Sequence, residues 1–94
     1  MTFDEFKKSL AGKQPSGETS VYIKALWHDA NNDWETAHNL MQDMNDKTAA
    51  WIHAYLHRKE GDIWNADYWY SRAGRKRPDV SLNKEWEEIV KALL

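Results

Sequence analysis

The sequence predicts an all-α fold of six short helices, in which antiparallel helix pairs stack into a small superhelix. Three observations carry this. Residues 22–46, shifted forward by 29 positions, fall on residues 51–75 with identity at Ile23/Ile52, Ala25/Ala54, His28/His57, Asp33/Asp62 and Ala37/Ala66, and with an aromatic exchange at Tyr22/Trp51. A repeat of this length is one helix pair, which cannot bury its apolar face alone and must stack on a neighbour. Apolar residues recur three and four apart along most of the chain, and no segment alternates with the period of two that a half-buried strand needs. The 94 residues make one domain, divided into an N-terminal helix (1–11), a first pair (18–46), a second pair (47–77) and a C-terminal capping helix (81–94).

The first helix opens with the capping box Thr2-x-x-Glu5 and carries Phe3, Phe6 and Leu10 on one face. Gly12, Pro15, Ser16 and Gly17 break the chain between Ala11 and Ser20. Ile23, Leu26, Trp27 and Ala30 then form an apolar stripe, ended by Asn31-Asn32. Asp33 is placed to cap a third helix bearing Trp34, Ala37, Met41 and Met44. After Asn45-Asp46, a fourth helix carries Trp51, Ile52, Tyr55 and Leu56 and closes at Gly61, the expected left-handed residue. Asp62 caps the fifth, with Ile63, Ala66, Trp69, Tyr70 and Ala73, which stops at Gly74 before Pro78. The last helix buries Trp86, Ile89, Val90 and Leu93.

Six Trp, four Tyr and two Phe supply a dense core for a chain of this size. The absence of cysteine excludes disulfides, thiolate metal sites and thiol nucleophiles. With early acids and no long apolar run, the N-terminus shows neither a signal peptide nor a membrane span, and a cytoplasmic protein is expected. The net charge of −2 is segregated. Asp29, Asp33, Glu35, Asp43 and Asp46 make the first repeat acidic, whereas Arg72, Arg75, Lys76 and Arg77 close the second.

Ala54, Gly61-Asp62, Ala66, Tyr70, Ala73 and Pro78 have the spacing of the small, turn, aromatic and terminating positions of a tetratricopeptide pair, and the second repeat resembles that family. The first repeat keeps Ala25, Asp33 and Ala37 but has Met41 and Met44 where the family has an aromatic and a small residue. The run from His57 to Asp62 and from Tyr68 to Ala73 also resembles small stand-alone bacterial proteins. The tetratricopeptide resemblance implies a peptide-binding groove lined by Tyr22, Leu26, Asp29, Trp51, Tyr55, Arg58 and Lys59. Where carboxylate-clamping members of that family hold Lys and Asn, this chain has Trp51 and Tyr55. The opposing expectation is that the terminal helices fold over this surface and turn it into core.

Two further clusters suggest chemistry. His53 and His57 are four apart on one helix face, and the repeat relates His28 to His57, so His28, His53 and His57 are candidate metal ligands. Packed, hydrogen-bonded histidines are the alternative, because HxxxH without the glutamate of HExxH is a weak motif. Arg72, Arg75, Lys76 and Arg77 form a basic patch at a helix C-terminus, complementing its dipole or, with Tyr68, Trp69 and Tyr70, binding phosphate or single-stranded nucleic acid. Asp29-Ala-Asn31-Asn-Asp33 lacks the glycine and the twelfth-position Glu of a calcium loop, and there is no Gly-rich phosphate loop, nucleophile elbow or paired-carboxylate scaffold. The sequence therefore predicts a protein-interaction module or self-associating adaptor without cofactor or catalytic residue. Its partner is a protein or peptide, or a second copy, rather than nucleic acid or membrane. The alternatives are a histidine-based metal protein or metal-dependent enzyme, and then a nucleic-acid or phosphate binder.

Overall fold

Every helix in the computed structural model, which describes residues 1–94, begins where a side-chain oxygen accepts an orphan backbone N–H. The helices are α1 (Phe3–Ser9), α2 (Val21–Ala30), α3 (Trp34–Gln42), α4 (Lys47–Glu60), α5 (Ile63–Arg72) and α6 (Leu82–Leu93). Thr2 forms the predicted capping box with Glu5, and Asp33 and Asp62 cap α3 and α5 as expected. Ser20, Asp46 and Ser81 cap the other three. Each such cap is worth about 0.5–2 kcal/mol. Helix α3 ends at Gln42, so Met44 packs from beyond the helix rather than on its face.

The repeat is visible in the turns. Asn32 (φ +64°) and Gly61 (φ +89°), equivalent under the 29-residue shift, both take the left-handed conformation. In both turns the next aspartate donates its N–H to the carbonyl of a histidine: Asp33 to His28 at 2.9 Å and Asp62 to His57 at 3.0 Å. These turns fold α2 onto α3 and α4 onto α5, and α3 packs on α4 to stack the pairs. Ala25, Ala37, Ala54 and Ala66 are fully buried, which lets the helix backbones approach closely.

The terminal helices close the core. Helix α6 packs on α2 and α4, placing Ile89 and Val90 among Leu26, Ile52 and Leu56, while α1 adds Phe6. Trp86 stacks on Phe6, with ring centroids 5.8 Å apart, and donates its indole N–H to Leu26 O at 3.1 Å. Trp27 donates to Ser9 O and Trp34 to Leu56 O in the same way, so three tryptophans each tie one element to another. No helix is long and apolar enough to cross a membrane.

Candidate metal centre

The terminal helices cover part of the expected groove, and a cavity of about 430 Å³ lined by Asp29, Tyr55 and Lys59 together with Phe3, Lys7 and Trp86 remains beside it. Leu26, Asp29 and Tyr55 are buried beneath α1 and α6, and the polar groups among them are paired. Asp29 accepts from Tyr55 Oη at 3.0 Å and from Lys59 Nζ at 2.9 Å. Arg58 donates to Glu85 at 2.9 Å and to the carbonyl of Val80, and Tyr70 donates to the same Glu85 carboxylate at 2.6 Å. Burial and these carboxylates push the Tyr55 and Tyr70 hydroxyls far above their ordinary range, keeping both as donors. Tyr22 donates to Asp46 at 2.8 Å, and half-buried Trp51 carries the Arg75 guanidinium 3.4 Å from its ring centre. The amphipathic face of α6 makes the Leu26 and Tyr55 part of this surface core, because two helix pairs alone leave it uncovered.

The basic patch is partly committed to the protein's own groups. Arg72 donates to Tyr68 Oη and lies over Trp69, Arg75 covers Trp51, and Arg77 pairs with Asp67 at 2.9 Å. Lys76 is exposed and has no ion-pair partner in the fold.

On the opposite side of α4 the structure joins His53 and His57 to a residue the sequence reading missed, His38 of α3. One ligand atom from each of the three lies within 4.8 Å of the others. At about 100° per residue, positions 53 and 57 share a face of α4 that points away from Tyr55. Helix α3 delivers His38 because Trp34, one turn earlier, already stacks toward α4: the Trp34 and His38 rings lie 4.7 Å apart, nearly parallel. Trp69 of α5 closes the other side, stacked on His53 at 4.0 Å. The missed signal was the i, i+4 phase of Trp34 and His38 on the helix that meets the second pair.

His28 does not join them. The repeat gives His57 and His28 the same place in their turns, but only His57 has a preceding helix pair beside it. His28 lies at the end of the stack, edge-on to Trp27, with Nδ1 3.9 Å from Asp33.

The cluster is buried yet incompletely satisfied. His53 and His57 are 4 % and 6 % exposed, and His38 is half-buried. Nδ1 of His57 meets Glu60 Oε2 at 2.6 Å, leaving Nε2 as its free ligand atom. Nδ1 of His53 is a buried polar atom with no hydrogen-bond partner. Burial, reinforced by His38 and His57, holds the His53 imidazole well below its ordinary range at about 3, and burial likewise lowers His38. Both rings are therefore neutral at neutral pH, as metal ligands must be. Glu60 stands where an outer carboxylate orients a ligating histidine. His57, Glu60 and Asp62 form a second, more exposed group, but there Glu60 is engaged by His57 and Asp62 by the N-terminus of α5.

Comparison with protein-family models, with curated proteins and with solved structures finds no match for this chain.

Proposed function

We propose that this is a metal-binding protein that holds one divalent transition-metal ion with His38, His53 and His57. The observation that carries the reading is the convergence of three imidazoles from two helices, one of them with a buried nitrogen left without a partner. An all-imidazole set suits zinc, copper, iron or nickel rather than calcium or magnesium. Tetrahedral zinc with N ligands at about 2.0–2.1 Å needs the nitrogens about 3.3 Å apart, so modest rotations of the rings complete the site. Three protein ligands would leave a fourth position for water or an anion, and the partial exposure of His38 supports access to it from solvent. The tetratricopeptide likeness belongs to the same proposal: the buried contact of Ala54, Ala66 and Tyr70 supports it, while the burial of Leu26 and Tyr55 favours the histidines over the family's usual groove as the working surface.

The test is titration of tag-free protein with Co²⁺, read by its visible d–d absorption, and with Zn²⁺ by calorimetry. One equivalent is expected to bind. His38→Ala and His53→Ala should each weaken binding by more than about 10-fold, on the scale of losing a site's supporting group, and His28→Ala should leave it unchanged. His38 is half-buried, so its variant decides the matter if His53→Ala fails to fold. No binding, or equal loss in His28→Ala, overturns the proposal.

A further inference from the structure

Independently of the histidines, the C-terminal end of α5 gathers hydrogen-bond donors that the fold does not use. Asp67, Ser71 and Gly74 follow one face of α5 and its end, and the chain turns at left-handed Gly74 (φ +73°) into Arg75-Lys76-Arg77. Together these residues line an open cavity of about 660 Å³. Arg77 donates Nε to Asp67 Oδ1 at 2.9 Å, and its Nη1 has no acceptor. The Arg75 guanidinium sits 3.4 Å from the Trp51 ring centre. Neither Arg75 nor Lys76 has a carboxylate or other acceptor in the fold, and the Ser71 hydroxyl makes no hydrogen bond. Cations at a helix C-terminus ordinarily serve its unpaired carbonyls. Here the carbonyls of Trp69, Tyr70 and Ser71 already accept from the backbone N–H groups of Ala73, Arg75 and Gly74, so capping leaves these side chains free.

We infer that this cavity binds the phosphoryl group of a phosphate monoester of a small polar alcohol. Its lining sets three cations against one carboxylate, and that excess of positive charge matches a monoester, which carries about −1.5 to −2 near neutral pH. The three terminal oxygens of such a group only accept, and the unused groups of Arg75, Lys76 and Arg77 only donate, with the Ser71 hydroxyl as a further donor. Both guanidinium groups are held before a ligand arrives, one by Trp51 and the other by Asp67, so little side-chain freedom is lost on binding. Lys47, also without an ion-pair partner, brings its Nζ to 3.9 Å from where a Cβ on Gly74 would stand, and adds positive charge beside the cavity. A phosphoryl group alone does not fill the space, so the ligand has an organic part. With Tyr70 the one hydrophobic residue of the lining, that part is polar.

Titration of the protein with glycerol phosphate, followed by the backbone amide signals in NMR, tests this. Saturable binding at one equivalent is expected, with the largest shifts at residues 71–77. Dimethyl phosphate, a diester with a single negative charge, should bind at least about tenfold more weakly, the scale of one lost hydrogen bond between charged groups. Lys76→Glu should weaken glycerol phosphate by at least about as much, and because Lys76 is exposed the variant keeps the fold. His38→Ala, which removes a proposed metal ligand, should leave the binding unchanged. Absence of binding, equal binding of the diester, or indifference to Lys76→Glu overturns the inference. So does loss of binding in His38→Ala, because the phosphate then sits on a metal at the histidines. Tighter binding of a single-stranded oligonucleotide that lacks a terminal phosphate also overturns it, because the surface then reads a polyanion rather than a monoester.

Discussion

Helix α4 buries ionisable groups on two opposite faces, and the two are built differently. Toward α6, each charged or hydroxyl group meets its complement: Asp29 with Tyr55 and Lys59, and Glu85 with Tyr70 and Arg58. Toward α3 and α5, three imidazoles meet chiefly one another and two indoles, and one nitrogen has no partner. The first face follows the rule that buried polar groups are paired; the second departs from it. A satisfied network explains itself as architecture, holding α6 in place over the core. The histidine cluster, with its one unpartnered nitrogen, has no such account as architecture, and that contrast is what favours it as the proposed metal site.

The contrast breaks most readily at Glu85. Glu85→Ala leaves half-buried Arg58 and buried Tyr70 without their shared carboxylate, and should cost about 3 kcal/mol, the lower end of the penalty for breaking one half of a buried pair. Urea unfolding measures it; a loss below about 1 kcal/mol would mean that α6 is held by Ile89, Val90 and Trp86 alone.

His53 should behave in the opposite sense. His53→Leu removes the unpartnered nitrogen and keeps the volume, so metal-free protein should lose little stability or gain up to about 1 kcal/mol, because apolar replacement of an unsatisfied group is near neutral or stabilising. The pH profile sharpens this. The folded-state value near 3 lies below the ordinary 6.5, so the unfolded chain takes up the proton first. The stability that neutral His53 permits is complete above about 6.5 and drains away as pH falls toward 3. Thermal melts from pH 7.5 to 4 should therefore decline in the natural protein and decline less steeply in His53→Leu, where the buried, lowered His38 still contributes. If the variant unfolds as easily as Glu85→Ala, the two faces of α4 are alike and the contrast is gone.

The smallest effect is expected at His28. Its Asp33 contact is long and partly exposed, so His28→Ala should shift stability by less than about 0.5 kcal/mol. A large shift would restore the symmetry between repeats that the structure denies.

Much of the fold was legible because it is written locally. Asp33 and Asp62 sit at caps, Gly61 at a left-handed turn, and Ala37 and Ala66 at equivalent close approaches, each recognisable from its neighbours. The candidate site was half legible. His53 and His57 share a turn of one helix, which spacing reveals, but His38 reaches them only through the packing of α3 on α4. The repeat pointed to His28 instead, because repetition equates positions within a pair and says nothing of which pair has a neighbour. The fate of the groove was undecidable for the same reason: whether α6 extends the stack or folds back over it depends on long-range contacts such as Trp86 with Leu26.

That last contact joins residues 60 apart in sequence, whereas the turns of the two pairs are closed by neighbours. Loop closure of that span is entropically unfavourable until the surfaces it joins already exist. The two hairpins should thus assemble early, with the terminal helices locking over them last. Weakening Trp86 or Glu85 would then hasten unfolding while leaving the folding rate nearly unchanged. The clasp of α6 governs how long the molecule stays folded, more than how quickly it gets there.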